Sequence, residues 1–170
     1  MRLSGRTAVV TGSTRGIGRA IAEKLAQEGA VVIVSGRSQE QADQVAADIE
    51  AAGGKAIGVA ADVADPESAE ALIKAAIDET GRIDILVNNA GITRDNLFMR
   101  MKQDEWNAVL DVNLHGVYNC TRAAVRPMMK QRFGRIINVS SIVGLMGNVG
   151  QTNYGASKAT VIGVSKSLAR

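Results

Sequence analysis

The stretch TAVVTGSTRGIG, Thr7 to Gly18, decides the architecture of this chain. Thr7 to Thr11 is a short β-branched run of strand type. The residues after Gly18 carry a helical pattern, Arg19 to Glu28, that stops at Gly29 as a helix closed by glycine does. A glycine turn between strand and helix lets backbone approach a pyrophosphate, and the helix start adds amide donors and partial positive charge. Gly12, Ser13, Thr14, Arg15, Gly16, Ile17 and Gly18 are therefore candidate phosphate-binding positions. Their spacing, G-x-x-x-G-x-G, differs from the G-x-G-x-x-G of the common dinucleotide fingerprint. The alternative is an ordinary strand-to-helix turn, and its position in the first turn of a βαβ unit argues against that.

Outward from this turn the same rhythm continues. Strands are expected at Ala30–Ser35, Ala56–Ala61, Ile83–Val87 and Gly134–Ser140. Between them lie a helix from Ser38, its N-cap, to Ala52, and one from the Asp65 N-cap and Pro66 to Thr80, closed by Gly81. A single longer helix is expected within Gln103–Arg132, with Pro127 near its last turns, and a final one from Asn153 to Arg170. Apolar strands separated by helices predict an α/β fold: a doubly wound, Rossmann-like parallel sheet in three layers, ending after the fifth strand and its helix. Ligands in such folds sit beyond the carboxyl ends of the strands.

Composition narrows the function classes. A length of 170 residues fits one domain, 1–170, and 18 glycines suit its many tight turns. Twenty basic against 17 acidic side chains leave a net charge of +3, and the basic residues are scattered, so nucleic acid is not the expected partner. Cys120 is the only cysteine and can form no internal disulfide; the start, MRLSGR, has no signal-peptide character. No apolar run approaches the ~18 residues that span a bilayer. These features predict a soluble, cytoplasmic protein without a membrane partner.

The end of the second strand bears on cofactor choice. An acidic residue there accepts a ribose 2′-hydroxyl, whereas an arginine accommodates a 2′-phosphate. The residues are Val34-Ser35-Gly36-Arg37-Ser38, with no carboxylate before Glu40. Arg37, with Arg15 from the glycine turn, predicts NADP(H) rather than NAD; a merely solvated arginine is the alternative. Asp62 and Val63 follow the third strand, where a carboxylate could accept from an adenine amino group. Asn89, Ala90 and Gly91 follow the fourth, where small residues let a ribose approach backbone, although Asn-rich turns are also common without ligands.

Tyr154 and Lys158 are four apart on the last helix and so share a face. A tyrosine titrates near ~10, too high to move protons easily at neutral pH. An ammonium ~4 Å away at an effective dielectric of ~20 favours the phenolate by at most ~4 kcal/mol, lowering that pKa by at most about three units. Y-x-x-x-K occurs by chance in many helices, so its company matters. Ser140 and Ser141 end the fifth strand at the ligand-bearing edge, and Asn113 lies inside the long helix, where a buried amide needs a partner.

With T-G-x-x-x-G-x-G, N-N-A-G, the helical Asn113, a serine after strand five and Y-x-x-x-K in order, the whole chain resembles the short-chain dehydrogenase/reductase family. NNAGITRDNLFMRM, GRIINVSSIVG and MGNVGQTNYGASKA most resemble its members that reduce 3-oxoacyl chains on acyl carrier protein. The resemblance implies that Tyr154 is the general acid and that Lys158 tunes it and holds the nicotinamide ribose. It further implies that Ser141 is the catalytic serine, with Ser140 structural, and that Asn113 holds a water linking Lys158 to solvent. It implies an NADPH-dependent oxidoreductase of fatty acid biosynthesis that forms a homo-oligomer, dimer or tetramer, through its fourth and fifth helices.

Relatives continue past this point through further strands and helices that cover the substrate, leaving the fifth strand here as an expected edge. A rival expectation is thus a non-catalytic NADP-binding fragment that needs a C-terminal segment or partner chain; a module that associates through its open edge is a third. His115 matches no triad or metal pattern and is expected to be structural, Cys120 to be a buried small hydrophobe, and Trp106 to anchor the long helix. Met99, Met101, Met128 and Met129 are expected to pack.

Overall fold

Five parallel strands and seven α-helices alternate along Met1–Arg170, the residues described by a computed structural model. The strands are β1 (Thr7–Val10), β2 (Val31–Gly36), β3 (Lys55–Ala60), β4 (Ile85–Asn88) and β5 (Arg135–Asn138). The helices are α1 (Gly16–Gln27), α2 (Gln39–Ala51), α3 (Pro66–Thr80), α4 (Gln103–Leu110), α5 (Gly116–Gln131), α6 (Val143–Met146) and α7 (Thr152–Leu168). The sheet order is β3-β2-β1-β4-β5. From β1 the chain runs outward to β3 and then returns to the other side of β1. That reversal opens a crevice between the carboxyl ends of β1 and β4, where doubly wound sheets bind ligands.

The pleat divides the core in two. Val10, Val32, Val34 and Val87 face α1 and α2, meeting Ala22, Ala26, Val45 and Ile49. Val9, Ile33 and Leu86 face the other layer, meeting Leu72 and Ile73 of α3 and Cys120 and Ala124 of α5. Each fully buried Val, Ile or Leu contributes about 1.5–3 kcal/mol. Alanines on the helix faces let helix and sheet approach closely.

Local chemistry sets several boundaries where expected. The Asp65 carboxylate caps α3 by accepting from Glu67 N and Ser68 N, Pro66 fills the first helical position, and Gly81 closes it at φ 76°. Ser38 Oγ accepts from Gln41 N at the start of α2. Elsewhere the structure differs. Helix α1 begins at Gly16, not Arg19, so half of the glycine turn is already helical. The single helix expected over Gln103–Arg132 is α4 and α5 joined by a π-helical turn, Asp111–His115, with Pro127 inside α5. A 3₁₀ turn at Phe98–Arg100 and the short α6 were not expected, because neither presents a buried apolar stripe.

The strands are not all buried on both faces. β1 and β4 are; the edge strands β3 and β5 are partly exposed, and Ile137 is 50% accessible. The expected packing of the methionines holds for Met128 but not for Met99 (86% exposed) or Met129 (72%). Cys120 is buried, and burial pushes its thiol up to about 12. His115 is exposed, with Nδ1 3.1 Å from Asp111 Oδ1. No helix is long and apolar enough to cross a membrane.

Below β1 and β4, at the amino end of the sheet, Asp84 is fully buried among donors. Its carboxylate accepts from Thr7 N (3.0 Å), from Arg6 Nη1 (2.8 Å) and from Arg82 Nε and Nη2 (2.6 Å each). Arg6 also lies 3.9 Å from the centre of the Phe133 ring, a cation–π contact that holds the guanidinium in place.

Candidate active site

The glycine turn is strapped to the two strands flanking β1. Ser13 Oγ donates to Val10 O (2.6 Å) and accepts from Ser35 N (2.9 Å), while Ser13 N donates to Ser35 O (2.8 Å). Thr11 Oγ1 accepts from Asn89 N and Ala90 N, each at 3.0 Å, and Asn89 Nδ2 returns bonds to Thr11 O (2.9 Å) and Gly12 O (3.0 Å). Gly12 has φ +62°, and a Cβ on it would lie 2.8 Å from Ala90 Cα. Both conformation and space therefore demand glycine there. Gly16 is also at positive φ, but a Cβ there would meet nothing.

Helix α1 starts without a side-chain cap and without an acidic residue in its first turn. Its amino end keeps amide donors and dipole charge that no side chain of the protein answers, which fits an anionic phosphate. A Cβ on Gly36 would lie 2.6 Å from the Thr14 methyl, so the turn rests on the end of β2. Arg15 and Arg37, each one residue beyond that contact, are both exposed on this edge. Asp62 is exposed after β3, with Oδ1 accepting from Ala64 N (3.0 Å), while Val63 is buried against Gly116.

The second half of the site comes from α7 and the π-helical turn. Lys158 is 5% exposed, its Nζ donates to Val139 O just past β5 (2.8 Å), and it lies 5.7 Å from the centre of the Tyr154 ring. Burial pushes the ammonium below its usual pKa. The π-helical turn carries the fully buried Asn113. Its Oδ1 accepts from Ile92 N (2.8 Å), and its Nδ2 donates to Ile92 O (3.0 Å) and Ser157 Oγ (3.3 Å). One wider turn in an otherwise α-helical segment is a common device for placing a site residue.

Gly91 joins these parts. A Cβ there would sit 3.3 Å from Asn113 Oδ1 and 3.7 Å from Lys158 Nζ, so Gly91, Asn113 and Lys158 meet at one point. Ser140 and Ser141 behave differently. Ser140 Oγ donates to Lys158 O (2.9 Å), whereas Ser141 Oγ only accepts from Val143 N (3.2 Å), leaving its proton uncommitted. Ser141 opens the segment whose Gly144 abuts α7; a Cβ on Gly144 would lie 2.8 Å from Ala159 N. Tyr154, Lys158, Asn113 and Gly91 thus stand along the carboxyl edge, and Asn89 and Ala90 tie that edge to the glycine turn. Such an arrangement can hold a dinucleotide along the turn and move a proton at a carbonyl beside Tyr154.

Three polar residues of this region were not singled out from the sequence. Thr11 reads as the last strand residue, yet its hydroxyl binds two amides of the β4 turn. Asn153 and Ser157 are each buried, and each directly precedes one of the two residues of the Y-x-x-x-K pair. That adjacency was the available signal.

Comparison with known proteins agrees with this geometry. The family model described as short chain dehydrogenase matches residues 6–170. The 3-oxoacyl-(acyl-carrier-protein) reductase FabG of Vibrio harveyi is 58% identical over 170 residues, all of this chain and 68% of the relative. The protein of the same name from Vibrio cholerae is 55% identical over the same span, and 3-oxoacyl-(acyl-carrier-protein) reductase of Synechocystis is 52% identical over 169 residues, again 68% of its length. A nearly full-length family match, a parallel sheet reversing beside a glycine turn and Tyr154 next to a buried lysine converge: this chain belongs to the short-chain dehydrogenase family of oxidoreductases.

Proposed function

We propose that this chain is the catalytic domain, residues 1–170, of an NADPH-dependent ketoreductase that converts a 3-oxoacyl thioester on acyl carrier protein into the 3-hydroxyacyl product. The observation that carries the reading is the Lys158 ammonium, buried beside Tyr154 on the edge that Gly91 and Asn89 connect to the glycine turn. The printed names of the relatives, reductases of 3-oxoacyl-(acyl-carrier-protein), support the substrate class.

When bound, the nicotinamide supplies hydride to the keto carbon. The remaining work belongs to the protein. Tyr154 donates its phenolic proton to the carbonyl oxygen as that oxygen gains charge, and the Lys158 ammonium stabilises the phenolate left behind. The uncommitted Ser141 hydroxyl donates to the same oxygen and orients it. Asn113 holds the Ile92 backbone beside Lys158 and, in this reading, a water that returns the proton. The glycine turn and the start of α1, Gly12 to Gly18, hold the pyrophosphate, Arg37 with Arg15 the 2′-phosphate, Asp62 and Val63 the adenine, and Asn89, Ala90 and Gly91 the ribose side. The reading also takes the protein to be cytoplasmic and self-associating; exposed Tyr118 and Met129 on α5 support a homo-oligomer.

NADPH consumption with a 3-oxoacyl thioester tests the proposal. Tyr154→Phe is expected to slow turnover by about 10²–10⁴-fold with an unchanged melting temperature; near-parental turnover would refute it. Arg37→Asp is expected to weaken NADPH binding and improve NADH binding, and no change in either would overturn the cofactor assignment. A second reading, cofactor binding without turnover until another segment or chain pairs with β5, is favoured by the partly exposed edge at Ile137. Binding of NADPH with no consumption would select it.

A further inference from the structure

We infer that Asn153 is a positioning residue for Tyr154, an inference that rests on the proposed role of Tyr154 as the proton donor. Helix α7 begins at Thr152, and its N-cap, Gln151, makes no side-chain cap bond. The Tyr154 amide is thus one of the helix's first donors, which have no partner within the helix. Asn153 Oδ1 accepts from it at 2.8 Å. The same amide group reaches out of the helix, Nδ2 donating to Arg94 O at 2.9 Å and to Glu105 O at 3.3 Å. Asn153 has no exposed surface, so water cannot replace any of these bonds.

The two carbonyls belong to the segment after β4 and to α4, and both are themselves held. Glu105 Oε2 accepts from Lys102 N (2.8 Å) and Asn96 Nδ2 (3.2 Å), Asn96 N donates to Gly150 O (2.9 Å), and Gln151 Nε2 donates to Asp95 Oδ2 (2.9 Å). Asn153 is the buried centre of this brace; the other ties are at or near the surface. The main chain of Tyr154 is therefore fixed by α4 and residues 94–96 as well as by its own helix. Lys158 is fixed separately, by Val139 O. The distance between the tyrosine and the lysine depends on both anchors, and an ammonium's influence on a phenol falls with separation.

The test uses the full chain with saturating NADPH and a 3-oxoacyl thioester, comparing Asn153→Ala and Asn153→Ser with Tyr154→Phe. Expected for Asn153→Ala is a fall in kcat of at least tenfold, with KM and NADPH affinity within threefold. The basic limb of the pH–rate profile should also move toward higher pH, because the phenol then stands farther from the Lys158 ammonium. A purely structural asparagine would lower stability without moving that limb. Should Asn153→Ala fail to fold, Asn153→Ser, which keeps a polar group in a smaller volume, decides by the same kcat and pH readouts. An unmoved profile with parental kcat in the folded variant overturns the inference. If Tyr154→Phe keeps its turnover, it is the functional reading that has failed; if Tyr154→Phe is inactive and Asn153 variants are normal, only this inference has.

Discussion

Asp84 and Lys158 are both buried charges, and they stand at opposite ends of the same parallel sheet. Asp84, below β4, is surrounded by four donated hydrogen bonds from Thr7, Arg6 and Arg82. Lys158, beyond β5, donates to a single carbonyl and has no carboxylate partner. Burial works against both charges. At the amino end it pushes the carboxyl up, but bonds from Arg82, Thr7 and Arg6 outweigh it and hold Asp84 below the usual carboxylate range. At the carboxyl end burial prevails and the ammonium is pushed down. One buried charge is neutralised by its partners, and the other is left without a counter-charge beside a tyrosine, where under the proposed function its field favours the phenolate.

The comparison can be broken experimentally, most sharply at its stable end. Asp84→Asn leaves Arg6 and Arg82 facing an amide and is expected to cost about 3 kcal/mol in denaturant unfolding. The folded fraction should bind NADPH as the parent does. A loss below ~1 kcal/mol would mean the cluster is an ordinary surface arrangement. Lys158→Met should do the opposite, leaving unfolding free energy within about 1 kcal/mol of the parent or above it, since an uncompensated buried charge is removed. Turnover should fall sharply in the same variant; a stability loss like that of Asp84→Asn would erase the contrast.

The smallest expected effect is in acid. Asp84 titrates lower in the folded chain than when unfolded, so its stabilisation is complete above the ordinary carboxylate range. That stabilisation is lost as pH falls through the depressed folded value. Acid unfolding followed by circular dichroism should therefore show a drop in the parent that is blunted in Asp84→Asn.

Legibility in the sequence followed the range of the interaction. The α3 boundaries were readable because Asp65, Pro66 and Gly81 act on amides within a few residues of themselves. Helix α1 starts three residues before the position its sequence pattern suggests, since an uncapped glycine helix carries no local signal. The pattern after Gln103 suggests one uninterrupted helix. Its π-helical turn exists where Asn113 bonds Ile92, 21 residues away, and where Gly116 packs on Val63, and neither contact leaves a periodic trace. Among the candidate site residues, spacing and context point to Tyr154, Lys158 and Asn113. Thr11 and Asn153 carry no such signal, because their partners, at Asn89, Arg94 and Glu105, are distant in sequence.

By itself, the sequence determined the strand–helix alternation, the glycine turn and the residue types at the end of each strand, because backbone propensity, capping and hydrophobic burial act locally. Only the tertiary structure decided that β4 returns beside β1, that Gly91, Asn113 and Lys158 meet, and that Lys158 is buried without a counter-charge. Those outcomes depend on which distant segments exclude water from one another, and no local pattern encodes that.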